Sequence, residues 1–130
     1  MRTVLLDTHV VHWWSAEPQR VSARARAVLE EAEELAVAGI SWFELAWLAR
    51  HERILVTIPI RSWLLGLAGK VRTMDMTPAI AETAVALPSS FPGDPADRLI
   101  YATAIEHDLA LVTKDRALRD HPNPRPLAVW

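Results

Sequence analysis

Four carboxylates stand where strands end or helices begin. Asp7 directly follows the apolar run Thr3–Leu6, and Asp115 comes two residues after Leu111-Val112-Thr113. Glu44 and Asp97 each fall in the first turn of a helical stretch. Their helix faces are apolar: Trp47 and Leu48 lie beside Glu44, and Ile100, Tyr101 and Ala104 beside Asp97. A carboxylate on an apolar face is costly to bury unless it is paired or metal-bound. Two such cases beside two strand-end aspartates suggest one shared partner, and a divalent cation is the economical choice. Ligation by oxygen alone selects a hard ion, Mg²⁺ or Mn²⁺.

Each acid also has a plainer reading. Asp7 before Thr8 could cap a helix, and Asp115 could cap a short turn at Arg116–Leu118. Asp94, Pro95 and Asp97 read as cap, first-position proline and first-turn acid, so Asp94 is only a secondary ligand candidate. Glu44 could pair with an arginine. Shared placement, rather than any one residue, carries the metal reading.

That placement depends on the elements. Thr3–Leu6, Leu35–Ile40, Arg72–Met76, Ala110–Thr113 and Leu127–Val129 read as strands. Helices are expected over Thr8–Trp14, Val21–Glu34, Ser41–Arg50, Ile60–Gly69, Thr77–Leu87 and Pro95–His107, with Ser22 near the start of the second. Pro88–Pro95 reads as a loop, and Ile54–Ile58 fits strand or loop. Alternating strands and helices argue for an α/β domain with a parallel sheet. In such sheets ligands bind beyond the carboxyl ends of the strands. The four acids converge there if their strands are parallel neighbours.

The chain's 130 residues suit one domain, here taken as 1–130, since domain sizes peak near roughly 100–150 residues. The net charge of -2 excludes polyanion binding by gross charge, so a nucleic-acid partner must meet a local basic cluster. No cysteine is present, which removes disulfides and thiolate metal sites and fits a reducing compartment. No uncharged run reaches the roughly 18 apolar residues of a membrane helix, and Asp7, His9 and His12 make the opening a poor signal peptide. A soluble cytoplasmic protein is expected.

Taken together, the motifs resemble the PIN-domain family, and more narrowly the VapC-type toxins of bacterial toxin–antitoxin pairs. Leu5-Leu6-Asp7-Thr8-His9 running on to Trp13-Trp14, Ser41-Trp42-Phe43-Glu44-Leu45-Ala46, Gly93-Asp94-Pro95-Ala96-Asp97-Arg98-Leu99-Ile100 and Leu111-Val112-Thr113-Lys114-Asp115 follow that family's order and approximate spacing. The resemblance implies a three-layer α/β/α sandwich around a parallel sheet. It also implies an acidic metal site of Asp7, Glu44, Asp97 and Asp115, and endoribonuclease activity. A homodimer and a cognate antitoxin across the cleft are implied as partners, besides the RNA substrate. The chain departs from the family at Pro92-Gly93, where His-Arg is usual, and at Ala96, where an aromatic is usual. The acidic set is intact; the departure bears on substrate selectivity.

On this reading Asp7 and Asp97 contact the metal directly, and Glu44 and Asp115 complete the shell directly or through water. Thr8 and Ser41 are candidate supporting hydroxyls, or caps. Arg98, Lys114 and Arg116 are candidates for the RNA backbone, or they balance adjacent acids. His9 and His12 could bind metal, but packing or a single hydrogen bond is favoured. Trp13, Trp14 and Trp42 are assigned to the core, and Trp47 and Trp63 to a partner surface. Two other functions compete: a PIN-like module that binds RNA or protein without cutting, and a receiver-like phospho-acceptor domain, which would need an adjacent acidic pair near the first strand.

Overall fold

Thr3–Leu6 forms the first strand, β1, and its side chains alternate between two buried faces. Val4 and Leu6 enter one apolar cluster, and Leu5 enters another. A strand with no wet face has to lie inside a sheet covered on both sides. The computed structural model describes residues 2–122 and 127–130, and in it β1 is the central strand of five. The others are β2 (Glu34–Ala38), β3 (Arg72–Met74), β4 (Ala110–Val112) and β5 (Ala128–Val129). Their order is β3-β2-β1-β4-β5, and every pairing is parallel. Leu5 lies opposite Ala36 on one flank and Leu111 on the other.

Helices cover both faces. Helices α1 (Thr8–Ala16), α2 (Ala23–Glu31), α3 (Ile40–Arg50) and α4 (Ile60–Ala68) close over the side of Val4 and Leu6. They do so with Val10 and Val11, Ala25 and Leu29, Leu45, and Leu67. On the side of Leu5, α5 (Pro78–Ala86) packs through Ile80 and Ala84 against Ala102 of α6 (Pro95–His107). Helix α6 in turn sets Ile100, Tyr101 and Ala104 on the sheet, and α7 (Arg116–Arg119) adds Leu118. The result is a three-layer α/β/α sandwich.

Element ends differ from the sequence reading where the backbone has a better partner. The second helix stops at Glu31, three residues short of the expected Glu34. The Glu33 and Glu34 N–H groups donate to the Arg2 carbonyl, which starts β2. Ile54–Ile58 is loop: Ile54 buries its side chain, but no sheet strand forms there. Ser22 accepts from the Ala25 N–H and caps α2, as its position suggests.

From β1 the chain steps outward to β2 and β3, then returns to β4 on the other flank of β1. The strand order therefore reverses between β1 and β4. The crevice beyond the carboxyl ends at such a reversal is the usual ligand site of an open parallel sheet.

Candidate active site

Asp7 leaves the sheet at that crevice. Its N–H donates to the Val112 carbonyl at 3.0 Å, so β4 holds its backbone up to the residue where α1 begins. Its Oδ1 then accepts from the Thr8 N–H at 2.8 Å, and its Oδ2 accepts from the Thr113 hydroxyl at 2.6 Å. Asp94 accepts from the Ala96 N–H at 2.8 Å and caps α6; Asp115 accepts from the Ala117 N–H at 2.9 Å and caps α7. Capping and site chemistry are thus not rivals here. Three helix N-termini carry their acidic caps to one cleft of about 500 Å³, and Glu44 and Asp97 line it as well. Positive N-terminal ends help to hold negative charge there.

Glu44 reaches the cleft from α3, which starts at Ile40, so the carboxylate lies in the second turn rather than the first. The Thr8 hydroxyl donates to Glu44 Oε1 and also lies 2.9 Å from the Ser41 hydroxyl oxygen. A hydroxyl carries one proton, so the Ser41 hydroxyl supplies the hydrogen between the two. Ser41 and Thr8 are both buried, and this relay ties α3 to the start of α1.

Asp97 is different. It is partly buried in the first turn of α6 and accepts no hydrogen bond among the described residues. Burial first, then the negative charges of Asp7, Asp94, Asp115 and Glu44, push its carboxyl from 3.8 up to about 7. Asp7 and Glu44 are also raised, mainly by burial. The hydrogen bonds from Thr113 and Thr8 to Asp7, and from Thr8 to Glu44, oppose that shift, as does the nearby His9. Among the described residues no three acidic or imidazole groups already close on a single point as a ready cage. Four of the five acids rest on protein donors, and the fifth has none among the described residues.

Nothing in the sequence singles out Thr113, yet it connects two of the acids. Its hydroxyl donates to Asp7 and accepts the Asp115 N–H at 3.0 Å. Its signal is positional: a hydroxyl at the exit of β4, two residues before an acid. Thr113→Val keeps the shape and removes both bonds. Stability is expected to fall by about 1–3 kcal/mol, since a buried carboxylate loses its hydroxyl donor. Urea denaturation measures this.

The basic residues divide. Lys114 lines the cleft, and Lys114 and Arg116 are exposed with no ion pair among the described residues, so neither balances a neighbouring acid. Arg98 is corrected. Its Nε donates to the Pro92 carbonyl at 2.9 Å. One terminal nitrogen donates to Ala84 and Leu87, both at 3.1 Å, and the other to Pro88 and Phe91 at 3.2 and 3.3 Å. A guanidinium has five N–H donors, and all are taken by backbone carbonyls that precede α6, leaving none for a phosphate. The guanidinium also lies over the Phe91 ring, 5.7 Å from its centroid.

Of the aromatic assignments, that of Trp63 to a partner surface is corrected. Trp14 and Trp42 are partly buried and pack against the core as expected, and the Trp42 indole donates to the Thr73 hydroxyl at 2.9 Å. Trp13 packs on the core but also forms part of the cleft wall. Trp63 packs against the core and edge-on to His12, whereas Trp47 is 44% exposed, as a partner surface requires. His12 is buried with Nε2 3.1 Å from Glu17, and His9 stacks on Trp13.

Comparison with known proteins places this arrangement. The PIN domain family model matches residues 4–123. The chain belongs to the PIN-domain family. A Mycobacterium tuberculosis (strain ATCC 25618 / H37Rv) protein called Ribonuclease VapC22 is 69% identical over 130 residues, 100% of both chains. Among solved structures, a toxin–antitoxin complex from Klebsiella pneumoniae superposes with a TM-score of 0.72 at 22% identity. That match covers 98% of this chain and 96% of the other. DNA-bound VapBC from Salmonella typhimurium gives 0.70 at 21%, covering 94% of each. At those identities the likeness is one of fold. Membership in the PIN family displaces the receiver-like alternative, and this PIN domain has the parallel sheet and acidic crevice that its motifs imply.

Proposed function

We propose that this PIN domain is a metal-dependent endoribonuclease that hydrolyses RNA phosphodiester bonds as the toxin of a toxin–antitoxin pair. One observation carries the reading: Asp97 is a half-buried carboxylate with no hydrogen-bond donor among the described residues, and it lines one cleft with four other carboxylates. Such a group is stable only beside a cation or a proton. The name of the 69%-identical relative supports the same activity.

The residues present fit a hard cation. All the candidate donors are carboxylate oxygens, and no thiol competes. Asp7 and Asp97 would hold Mg²⁺ or Mn²⁺ directly, with Glu44 and Asp115 completing the shell directly or through water, and Asp94 as a further candidate. Bound there, the ion would lower the pKa of the attacking water and offset charge growing on the phosphate. The chain's own part is orientation. Thr113 fixes Asp7, and the Ser41–Thr8 relay fixes Glu44. Lys114 and Arg116 offer cations outside any ion pair among the described residues to the RNA backbone, which would otherwise meet an acidic surface.

Next to Glu44, Phe43 and Trp47 are 66% and 44% exposed. An apolar patch bordering the cleft suits an antitoxin laid across it, and a homodimer is the proposed assembly of the toxin itself. Among the described residues no helix is long and apolar enough to cross a membrane.

The test is cleavage of a single-stranded RNA with Mg²⁺ or Mn²⁺, with EDTA, and with Asp7→Ala. Cutting is expected with either metal and in neither control. RNA binding without cutting under every condition would favour the inert binding module instead.

A further inference from the structure

The cleft has an aromatic and basic wall that the acid chemistry does not use. Trp13 is partly buried, with one part against the core and another lining the cleft. One helical turn earlier His9 is exposed, and its ring stacks on Trp13 with 5.7 Å between centroids and 29° between planes. The exposed Lys114 sets its Nζ 5.7 Å from the same indole centroid. His9, Trp13 and Lys114 line the same cleft as Asp7, Glu44 and Asp97.

A histidine present only for packing would resemble His12, which is 8% exposed and bonded to Glu17. His9 makes no hydrogen bond among the described residues, and it lies close enough to Asp7 and Glu44 to act on both. It therefore offers an exposed ring and polar edge to the cleft, with an indole stacked behind it. A ring already stacked on its own helix loses little freedom when another ring settles on it. Stacking platforms combined with nearby cations are how single-stranded nucleic acid is gripped, because every base has a π-face.

From these contacts we infer that His9, backed by Trp13, is a stacking platform for the nucleobase beside the scissile phosphate, with Lys114 on the adjoining phosphate. The inference rests on the ribonuclease reading and adds a subsite to it, one that selects an unpaired base in single-stranded RNA. Recognition by stacking tolerates different bases, so the platform sets position on the strand more than sequence.

The test uses the full chain carrying Asp97→Asn, so that RNA binds without being cut. The probe is a short single-stranded RNA with the fluorescent base 2-aminopurine, moved one position at a time along the strand. Quenching is expected at one register. Adding His9→Ala is expected to weaken binding about tenfold and remove the quench. His9→Phe, which restores a ring, is expected to recover both, and Trp13→Phe to retain them. In the chain with Asp97 intact, His9→Ala raises KM far more than it lowers kcat. A quench that survives His9→Ala, a loss that His9→Phe does not recover, or an effect on kcat alone overturns the platform. Absence of cleavage by the unsubstituted chain would instead remove the ribonuclease reading beneath it.

Discussion

Asp97→Asn is expected to abolish RNA cleavage while leaving the metal-free fold as stable as before, or about 1 kcal/mol more stable. The amide keeps the size of the side chain and removes the charge that meets Asp7, Asp94, Asp115 and Glu44. Catalytic sites commonly hold like charges together at a cost to stability, and the proposed site has the same crowding of carboxylates. The pH dependence gives the sign independently. In the folded chain Asp97 keeps its proton up to about pH 7, while in the unfolded chain it loses it near its ordinary 3.8. Between those values the folded state binds the extra proton, so raising the pH through this window favours unfolding. The stability advantage of Asp97→Asn should therefore be small near pH 4, grow toward pH 7 and then level off. Mg²⁺ is expected to reverse the ranking, because a cation that binds only the folded chain raises its melting temperature. Thermal melts of both chains from pH 4 to 8, with EDTA and with Mg²⁺, measure all of this. A variant that loses its fold while its remaining folded molecules cut normally would show that Asp97 is structural.

The second large effect falls on Arg98. Arg98→Ala is expected to cost about 3 kcal/mol, since five backbone carbonyls lose donors from one charged group. Water reaches part of the loop and keeps the loss below five full bonds. Arg98→Lys should recover little, because an ammonium cannot spread donors over carbonyls on both sides of a planar fork. Urea denaturation of the metal-free chain gives the stability. RNA affinity per folded molecule is expected to stay unchanged, which separates this role from phosphate contact. A stable Arg98→Ala protein with weakened RNA binding would restore Arg98 to the backbone contacts.

How far the sequence could be read follows from where its signals are local. Apolar–polar alternation is absent from β1: Val4, Leu5 and Leu6 are all apolar because both faces are covered, and such a run marks a central parallel strand. Helix α6 is equally legible, since Asp94 caps it, Pro95 opens it and the helix spans Pro95–His107 as expected. The acids were visible because an acid at a strand exit or on an apolar helix face is unusual wherever the chain goes. Their meeting was not visible, because it depends on β4 returning beside β1.

Arg98 shows the opposite limit. Beside Asp97 in sequence it looks like a cleft cation, but its rotamer is decided by backbone carbonyls of the segment that precedes it. Trp13 belongs to an apolar run and still reaches the cleft, because one large ring can serve the core and the wall together. Thr113 carries only its position two residues before Asp115, and its contact with the distant Asp7 appears only in the fold. In each case the missing information is a contact between distant segments.

Anomalous diffraction from a crystal soaked in Mn²⁺ puts the proposed site to the most direct trial. The account predicts a peak in the crevice between β1 and β4, about 2.0–2.3 Å from carboxylate oxygens of Asp7 and Asp97. A crystal saturated with Mn²⁺ that leaves this crevice empty, or carries the ion only among other residues, would contradict it.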